Sequence, residues 1–580
     1  MRSFLKFFFA SFLALIVFSV IGFFFVLMIA VRMTSDKKVV VGSNAVLVID
    51  LSDHYAEQRV QTPLRALAGE GADSDPGLYD AVRLIRQAAT DDNVKGIYLK
   101  ADGSGNGHAS SEEIRRAIVD FSKSKKFVYA YGEVISQNAY FLASAADKVY
   151  LHPKGGIDFS GYAITMMYLK GTLEKLEIQP QIFYNGKFKS ATEPLRETKM
   201  TEANRIQTTV FLGELYGDFL MKVGASRGID TATLHQYADA GTIQYPEDAL
   251  KYKLVDGLRY DDQVMDEIKQ KLSLKGDDKV NFIALNRYDE AKASYEGSGN
   301  IALIYAEGDI VSGSADKAIA SEDYIKTIRE ARQDKDVKAI VFRVNSPGGS
   351  ALASEGIWRE LTLARKSKPV IVSMGDYAAS GGYYISCMAD SIFAEPTTLT
   401  GSIGVFAILP NMQAFFNNKL GITFDAVKTG EYADLGTTSR PLTEKEKLMV
   451  QRSVDTIYAT FKHRVTEGRK LDATVVDSIA QGRVWTGIQA REMGLVDRLG
   501  GIDDAVNCAA RMANVAEVKI VSFPKQKDPY QQLLKSLGGV RASMVKEELG
   551  EHYQLYQTIK ELKKLTGEIQ AKLPYNLTIQ

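Results

Sequence analysis

Val370-Ile371-Val372-Ser373-Met374-Gly375-Asp376-Tyr377-Ala378-Ala379-Ser380-Gly381-Gly382-Tyr383-Tyr384-Ile385-Ser386-Cys387-Met388-Ala389 is the stretch whose reading decides the fold. Its first five residues have the apolar, β-branched character of a buried strand, and residues 383–389 can continue as a buried helix. Ser380 then falls at the junction. Small neighbours let another backbone approach, and a helix N-terminus offers unpaired N–H groups and a positive dipole end, which favour developing negative charge. On this stretch alone Ser380 reads equally as a nucleophile or as a helix N-cap.

Working outward, the chain after residue 44 is written twice. Val94-Lys95-Gly96-Ile97-Tyr98-Leu99-Lys100 matches Val337-Lys338-Ala339-Ile340-Val341-Phe342-Arg343. Each is followed by a glycine-rich turn, Asp102-Gly103-Ser104-Gly105 and Asn345-Ser346-Pro347-Gly348-Gly349-Ser350. The same spacing carries Gly132 onto Gly375, Tyr140 onto Tyr383 and Asp147 onto Asp390, and Leu254-Val255-Asp256-Gly257 resembles Leu495-Val496-Asp497-Arg498. Each half reads as strand, helix, strand, glycine turn, helix, strand, helix; in the second half the helices are expected at residues 321–332 and 354–367. Alternation of this kind implies βαβ units and a largely parallel sheet. The expected layout is an N-terminal segment 1–38, a first repeat 44–290, a second repeat 299–510 and a C-terminal extension 511–580. Lysine-rich pieces of that extension, such as residues 558–564, read as solvated helix packed on the outside.

Differences between the copies locate the chemistry. Ser380 corresponds to Gln137, and Gly381-Gly382 to Asn138-Ala139, so only the second copy presents a serine. Aligning Gly186 with Gly430 sets Lys189 opposite Ala433, so only the first copy presents the lysine. Together they have the form of a split Ser/Lys dyad, the amine accepting the hydroxyl proton. An ordinary lysine amine, with a pKa of about 10.4, is protonated at neutral pH; a working base needs a depression of roughly three units, about 4 kcal/mol, from burial. The neighbours Phe183, Phe188 and Ala191 are compatible with that. A histidine base is the rival, but none of His54, His108, His152, His235, His463 and His552 lies in the motifs around Ser380. Ser346-Pro347-Gly348-Gly349-Ser350 follows a buried strand and precedes a helix, so its glycines can turn N–H groups toward a carbonyl oxygen. The turn lacks the spacing of a nucleotide-phosphate loop.

With 580 residues the chain is too long for one core, and 71 acidic residues balance 71 basic ones, which gives no reason to expect nucleic acid as a partner. Two cysteines, Cys387 and Cys508, without C-x-x-C spacing, argue against a disulfide framework or structural zinc. No metal or cofactor is expected. Residues 7–31 carry no charge and are about as long as a membrane-crossing helix. A cleaved signal peptide is the competing reading, but its apolar region is about half that length and ends in small residues, so an uncleaved anchor is expected. Basic residues on both flanks leave its orientation open.

The three stretches at residues 343–350, 374–383 and Leu399-Thr400-Gly401-Ser402-Ile403-Gly404 resemble the signal peptide peptidase A family in its long, duplicated form, within the ClpP/crotonase-like superfamily. The resemblance implies an α/β chain of two tandem ClpP/crotonase-like domains, with parallel sheets and flanking helices, preceded by one transmembrane helix. It implies a serine protease with Ser380 as nucleophile, Lys189 as general base, Gly348 and Gly349 as the oxyanion region, and Ser402 orienting the lysine. It further implies a bowl-shaped homotetramer on the outer face of the cytoplasmic membrane, cutting remnant signal peptides. Two alternatives stand beside it: an acyl-CoA hydratase or isomerase on the same fold, and a non-catalytic membrane scaffold.

Overall fold

In the computed structural model, which describes residues 2–34, 39–61, 74–292, 300–525 and 568–573, the two repeats build the same sheet. In the first, parallel strands run in the order Gly257–Leu258, Lys148–Ile157, Phe127–Ile135, Val94–Lys100, Ala45–Asp50, Asn281–Ala284. In the second the order is Arg498–Leu499, Ser391–Ala394, Val370–Ala379, Ala339–Ser346, Ile301–Glu307, Ile520–Phe523, again all parallel. Helices cover these sheets, so their strands are buried on both faces, as Ile301–Glu307 and Val370–Ala379 illustrate. Each repeat has its own main apolar core, one around Leu47, Ile97 and Val128, the other around Ile304, Phe342 and Val372.

The residues shared between the copies perform the same tasks. Tyr140 and Tyr383 donate their hydroxyls to the carbonyls of Leu254 (2.6 Å) and Leu495 (2.9 Å). Asp147 accepts from Val128 N at 2.8 Å and Asp390 from Val370 N at 2.9 Å, each pinning the strand that leads to the position of Gln137 or Ser380.

Several boundaries differ from the sequence expectation. The strand beginning at Val370 does not stop at Met374 but runs to Ala379, because Leu399–Gly401 pairs with Tyr377–Ala379 and extends the sheet. The helices fall at Ser321–Gln333 and Ala351–Arg365; Ser350 caps the second by accepting from Ala353 N. The second sheet takes its outer strand from Ile520–Phe523, so residue 510 lies inside the helix Ile502–Met512 and is not the end of the repeat. Residues 558–564 lie outside the described residues.

A third sheet joins the halves, in the order Ile319–Ala320, Ile310–Val311, Gly348–Ser350, Gln570–Lys572, Phe406–Asn411, Gln179–Tyr184. Its last pair is antiparallel and crosses from the second repeat to the first, with Ala407 opposite Phe183. The other main tie is Arg343, fully buried, whose guanidinium reaches Glu57 at 2.8 Å and Glu113 at 2.7 Å in the first repeat. Burial pushes the Glu57 carboxyl up to about 7 despite this partner. Asp376, on the strand Val370–Ala379, accepts from the N-terminus of the first repeat's helix His108–Ser122: Ala109 N at 2.8 Å, Ser110 N at 3.1 Å and Ser110 Oγ at 2.7 Å. The N-terminal helix Arg2–Thr34 contains, at Lys6–Phe25, a span long and apolar enough to cross a membrane.

Candidate active site

Ser380 is the single residue between the strand Val370–Ala379 and the helix Gly381–Ser386. The chain reverses there with φ 54° and ψ −111°, a conformation costly for a residue with a β-carbon. It is held by Ser380 N donating to Gly401 O at 2.8 Å and by the first turn of the helix, Tyr384 N to Ser380 O at 2.8 Å. Ser380 holds the N-cap position of that helix, but its side chain makes no cap hydrogen bond.

Lys189 reaches this serine from the other repeat. After the strand Gln179–Tyr184 the chain turns at Gly186, whose φ of 105° and backbone approach to Gln481 exclude a side chain. Asn185 N then donates to Val405 O at 3.0 Å and Phe188 N to Gln481 O at 2.8 Å, so the loop carrying the lysine is fastened to the second repeat. Lys189 Nζ lies 2.8 Å from Ser380 Oγ, 3.1 Å from Ser402 Oγ and 3.2 Å from Ser402 O. Both Lys189 and Ser380 are buried, and burial alone holds the Lys189 amine well below the ordinary lysine range. Ser380 Oγ also reaches Gly404 O at 3.3 Å. Ser402 sits at φ 48°, with its N–H on Arg483 O at 2.7 Å. The structure therefore brings Ser380, Lys189 and Ser402 together; among the described residues no histidine hydrogen-bonds the serine.

The two glycines behave differently from each other. Gly348 N–H donates to Ser346 Oγ at 3.1 Å and is not free to face a substrate, whereas Gly349 stands opposite Ala571 in the third sheet. Gly348 matters through shape: at φ 100°, a β-carbon there would stand 2.1 Å from Ala571 O and 2.7 Å from Gly381 N. Gly381, at the start of the helix, thus borders the same space. It was not singled out in the sequence as an oxyanion residue, although the helix start was.

The first copy shows how the same position is closed. Gln137 fills the serine's place and hydrogen-bonds the backbone of Gly161 in both directions, at 3.2 and 3.0 Å. Phe159, buried, stands at the repeat position of Ser402, and Ala433, which aligns with Lys189, is exposed.

Sequence reasoning missed Gln207, on the helix Glu202–Arg227. Its Nε2 donates to Phe188 O and Ser190 Oγ, both at 3.1 Å, while its Oε1 accepts from Val484 N at 3.2 Å. It ties the lysine loop to the strand beside Gly401. The available signal was an amide at helical spacing with the apolar Phe211 and Leu215, on the helix's buried face.

Comparison with known proteins identifies the family of this chain. The family model "Peptidase family S49" matches twice, at residues 120–275 and 362–516. "Protease 4" of Salmonella typhi is 36% identical over 550 residues, covering 90% of this chain and 88% of that protein. "Serine protease SPPA, chloroplastic" of Arabidopsis thaliana is 34% identical over 79% of this chain and 69% of its own. "Protease 4" of Haemophilus influenzae is 35% identical over 85% and 83%. The chain belongs to peptidase family S49, as a serine protease that carries the family's domain twice.

Proposed function

We propose that this protease is a membrane-anchored endopeptidase that hydrolyses hydrophobic peptides, remnant signal peptides among them, through a seryl acyl-enzyme with Lys189 as the base. The observation that carries this reading is the 2.8 Å contact between a buried lysine of one repeat and a buried serine of the other. A neutral amine accepts the hydroxyl proton as Ser380 Oγ attacks the peptide carbonyl carbon. The oxyanion is received by backbone N–H groups at Gly349 and Gly381. The ammonium then protonates the leaving amine, and water, deprotonated in turn by Lys189, releases the acyl group. Ser402 offers two oxygens that keep Nζ aimed at Ser380.

The apolar N-terminal helix supports an anchor, and the family resemblance supports placing the bulk of the chain on the outer side of the cytoplasmic membrane as a homotetramer. Leu420, Ile422, Phe424 and Val427, exposed and apolar, form a surface that such an assembly would cover. Ser380→Ala and Lys189→Ala, made separately in detergent-purified protein, should each abolish cleavage of apolar peptides. Undiminished cleavage by either variant would sink the dyad.

A further inference from the structure

The lysine that faces Ser380 comes from a segment with little regular structure of its own. Lys189 lies outside any strand, at the N-cap position of the short turn Ser190–Thr192, with φ −74° and ψ 80°. One side chain from another element grips both of its neighbours. Gln207, 2% exposed on the helix Glu202–Arg227, has its Nε2 3.1 Å from Phe188 O and 3.1 Å from Ser190 Oγ. At its other end Oε1 accepts from Val484 N at 3.2 Å. Val484 stands opposite Gly401, whose carbonyl accepts from Ser380 N at 2.8 Å. The amide therefore links both flanks of the lysine to the strand pair that fixes the serine's backbone.

These contacts suit an amide and exclude a carboxylate. Phe188 O can only accept and Val484 N–H can only donate, so one end of the side chain must donate while the other accepts, and the amide cannot be flipped. Behind it the contacts close into a ring. Nε2 also lies 3.1 Å from Asn204 Oδ1, and Asn204 Nδ2 donates to Glu193 at 2.8 Å. Glu193, buried four residues beyond Lys189, accepts as well from Thr201 N at 3.3 Å and Thr201 Oγ1 at 2.5 Å, with Arg196 4.0 Å away. The first turns of one helix thus hold residues 188–193 at both ends, around the lysine.

The second repeat builds the same helix without this amide. Glu444–Arg469 also has 26 residues, starts after Thr443 as its counterpart starts after Thr201, and ends in a left-handed residue, Lys470 in place of Gly228. Set cap on cap, Gln207 falls on Met449, which is 43% exposed, and Asn204 on Glu446, which pairs with Arg440 at 2.7 Å. The amide is present in the copy that supplies the lysine and absent from the copy that does not. A helix of this kind packs on its repeat without it.

We propose that Gln207, backed by Asn204 and Glu193, is a positioning residue for catalysis: it sets the Lys189 backbone so that Nζ meets Ser380 Oγ. This rests on the protease reading above, in which Lys189 is the base, and adds what aims that base. Gln207 acts through the loop and not on the peptide. A reacting group displaced by about 1 Å costs on the order of 100-fold in rate.

The test is kcat and KM for a fluorogenic apolar peptide on detergent-purified full chains, with the folded fraction read from thermal unfolding. Gln207→Met keeps the bulk and removes the polar contacts; kcat per folded molecule should fall about 100-fold while KM stays within about twofold. Gln207→Glu keeps the shape. Its carboxylate cannot donate to Phe188 O, and a negative charge beside the loop favours the Lys189 ammonium, so kcat should fall and the acid limb of activity should move to higher pH. Should Gln207→Met not fold, the Gln207→Glu profile decides. An unchanged kcat per folded molecule, a loss confined to KM, or a Gln207→Glu pH profile identical to that of the unsubstituted protein overturns the inference. With Lys189→Ala inactive, the protease reading then still stands; Lys189→Ala cleaving at the unsubstituted rate overturns both.

Discussion

Ser402→Ala removes one oxygen from the three that surround Lys189 Nζ. The Ser402 carbonyl at 3.2 Å and Ser380 Oγ at 2.8 Å remain, so the lysine keeps its place but loses the contact at 3.1 Å. A neutral hydrogen bond contributes about 0.5–1.5 kcal/mol net. At about 1.4 kcal/mol per tenfold in rate, kcat/KM should fall roughly 2- to 12-fold, not vanish. The pH profile adds a sign. An oxygen acceptor stabilises an ammonium more than an amine, so removing one disfavours the protonated lysine. Burial already depresses Lys189, and the substitution lowers it further, so the acid limb of activity should move to lower pH. The assay is kcat/KM for a fluorogenic apolar peptide in detergent, followed from neutral to alkaline pH. Ser402→Gly removes the same hydroxyl while easing the backbone at φ 48°, and should show the same loss. An acid limb that moves to higher pH, or an unchanged rate in both variants, would refute the role of Ser402 and the neutral-amine mechanism behind it.

Three further outcomes follow from the geometry. Gly348→Ala sets a β-carbon 2.7 Å from Gly381 N, backbone at the start of the helix that follows Ser380, and should lower kcat/KM by about 100-fold, on the scale of losing an oxyanion donor, with little change in the far-ultraviolet spectrum. Arg343→Met leaves Glu57 and Glu113 buried together without their cation and should cost about 3–5 kcal/mol in chemical unfolding; a loss under about 1 kcal/mol would contradict the tie between the repeats. Gln137→Ser in a Ser380→Ala background should remain inactive and unlabelled by a serine-directed probe, because Phe159 takes the repeat position of Ser402 and the residue aligned with Lys189 is Ala433, which has no amine; labelling at residue 137 would show that the repeat contrast had been misread.

What could be read from the sequence was whatever each copy states locally or by contrast with the other. Tyr140 and Tyr383, Asp147 and Asp390 each hold their own repeat together, so selection within one fold leaves them at a constant spacing. The serine and the lysine stood out because each is absent from the sister copy. Contacts between the copies left no such mark. Arg343 with Glu57 and Glu113, and Asp376 with Ser110, join residues more than 200 positions apart, and no periodicity predicts such a pairing. The run of the Val370 strand to Ala379 depends on a neighbour, Leu399–Gly401, that lies twenty residues on. The distinction between Gly348 and Gly349 rests on one hydroxyl, Ser346 Oγ, which claims the first glycine's N–H. The alternation of Ile569, Ala571 and Leu573 was present as a strand signal, but three residues beside a lysine-rich helical run are too few to outweigh it.

The central claim is that a lysine of the first repeat activates a serine of the second. Its most direct test is the rate at which a fluorophosphonate labels Ser380, located by peptide mass spectrometry, in the unsubstituted protein and in Lys189→Met across pH. The account predicts labelling at Ser380 that rises as the lysine loses its proton, and near-complete loss of labelling in Lys189→Met at every pH. Labelling of Lys189→Met at the unsubstituted rate, with the same pH profile, would contradict it.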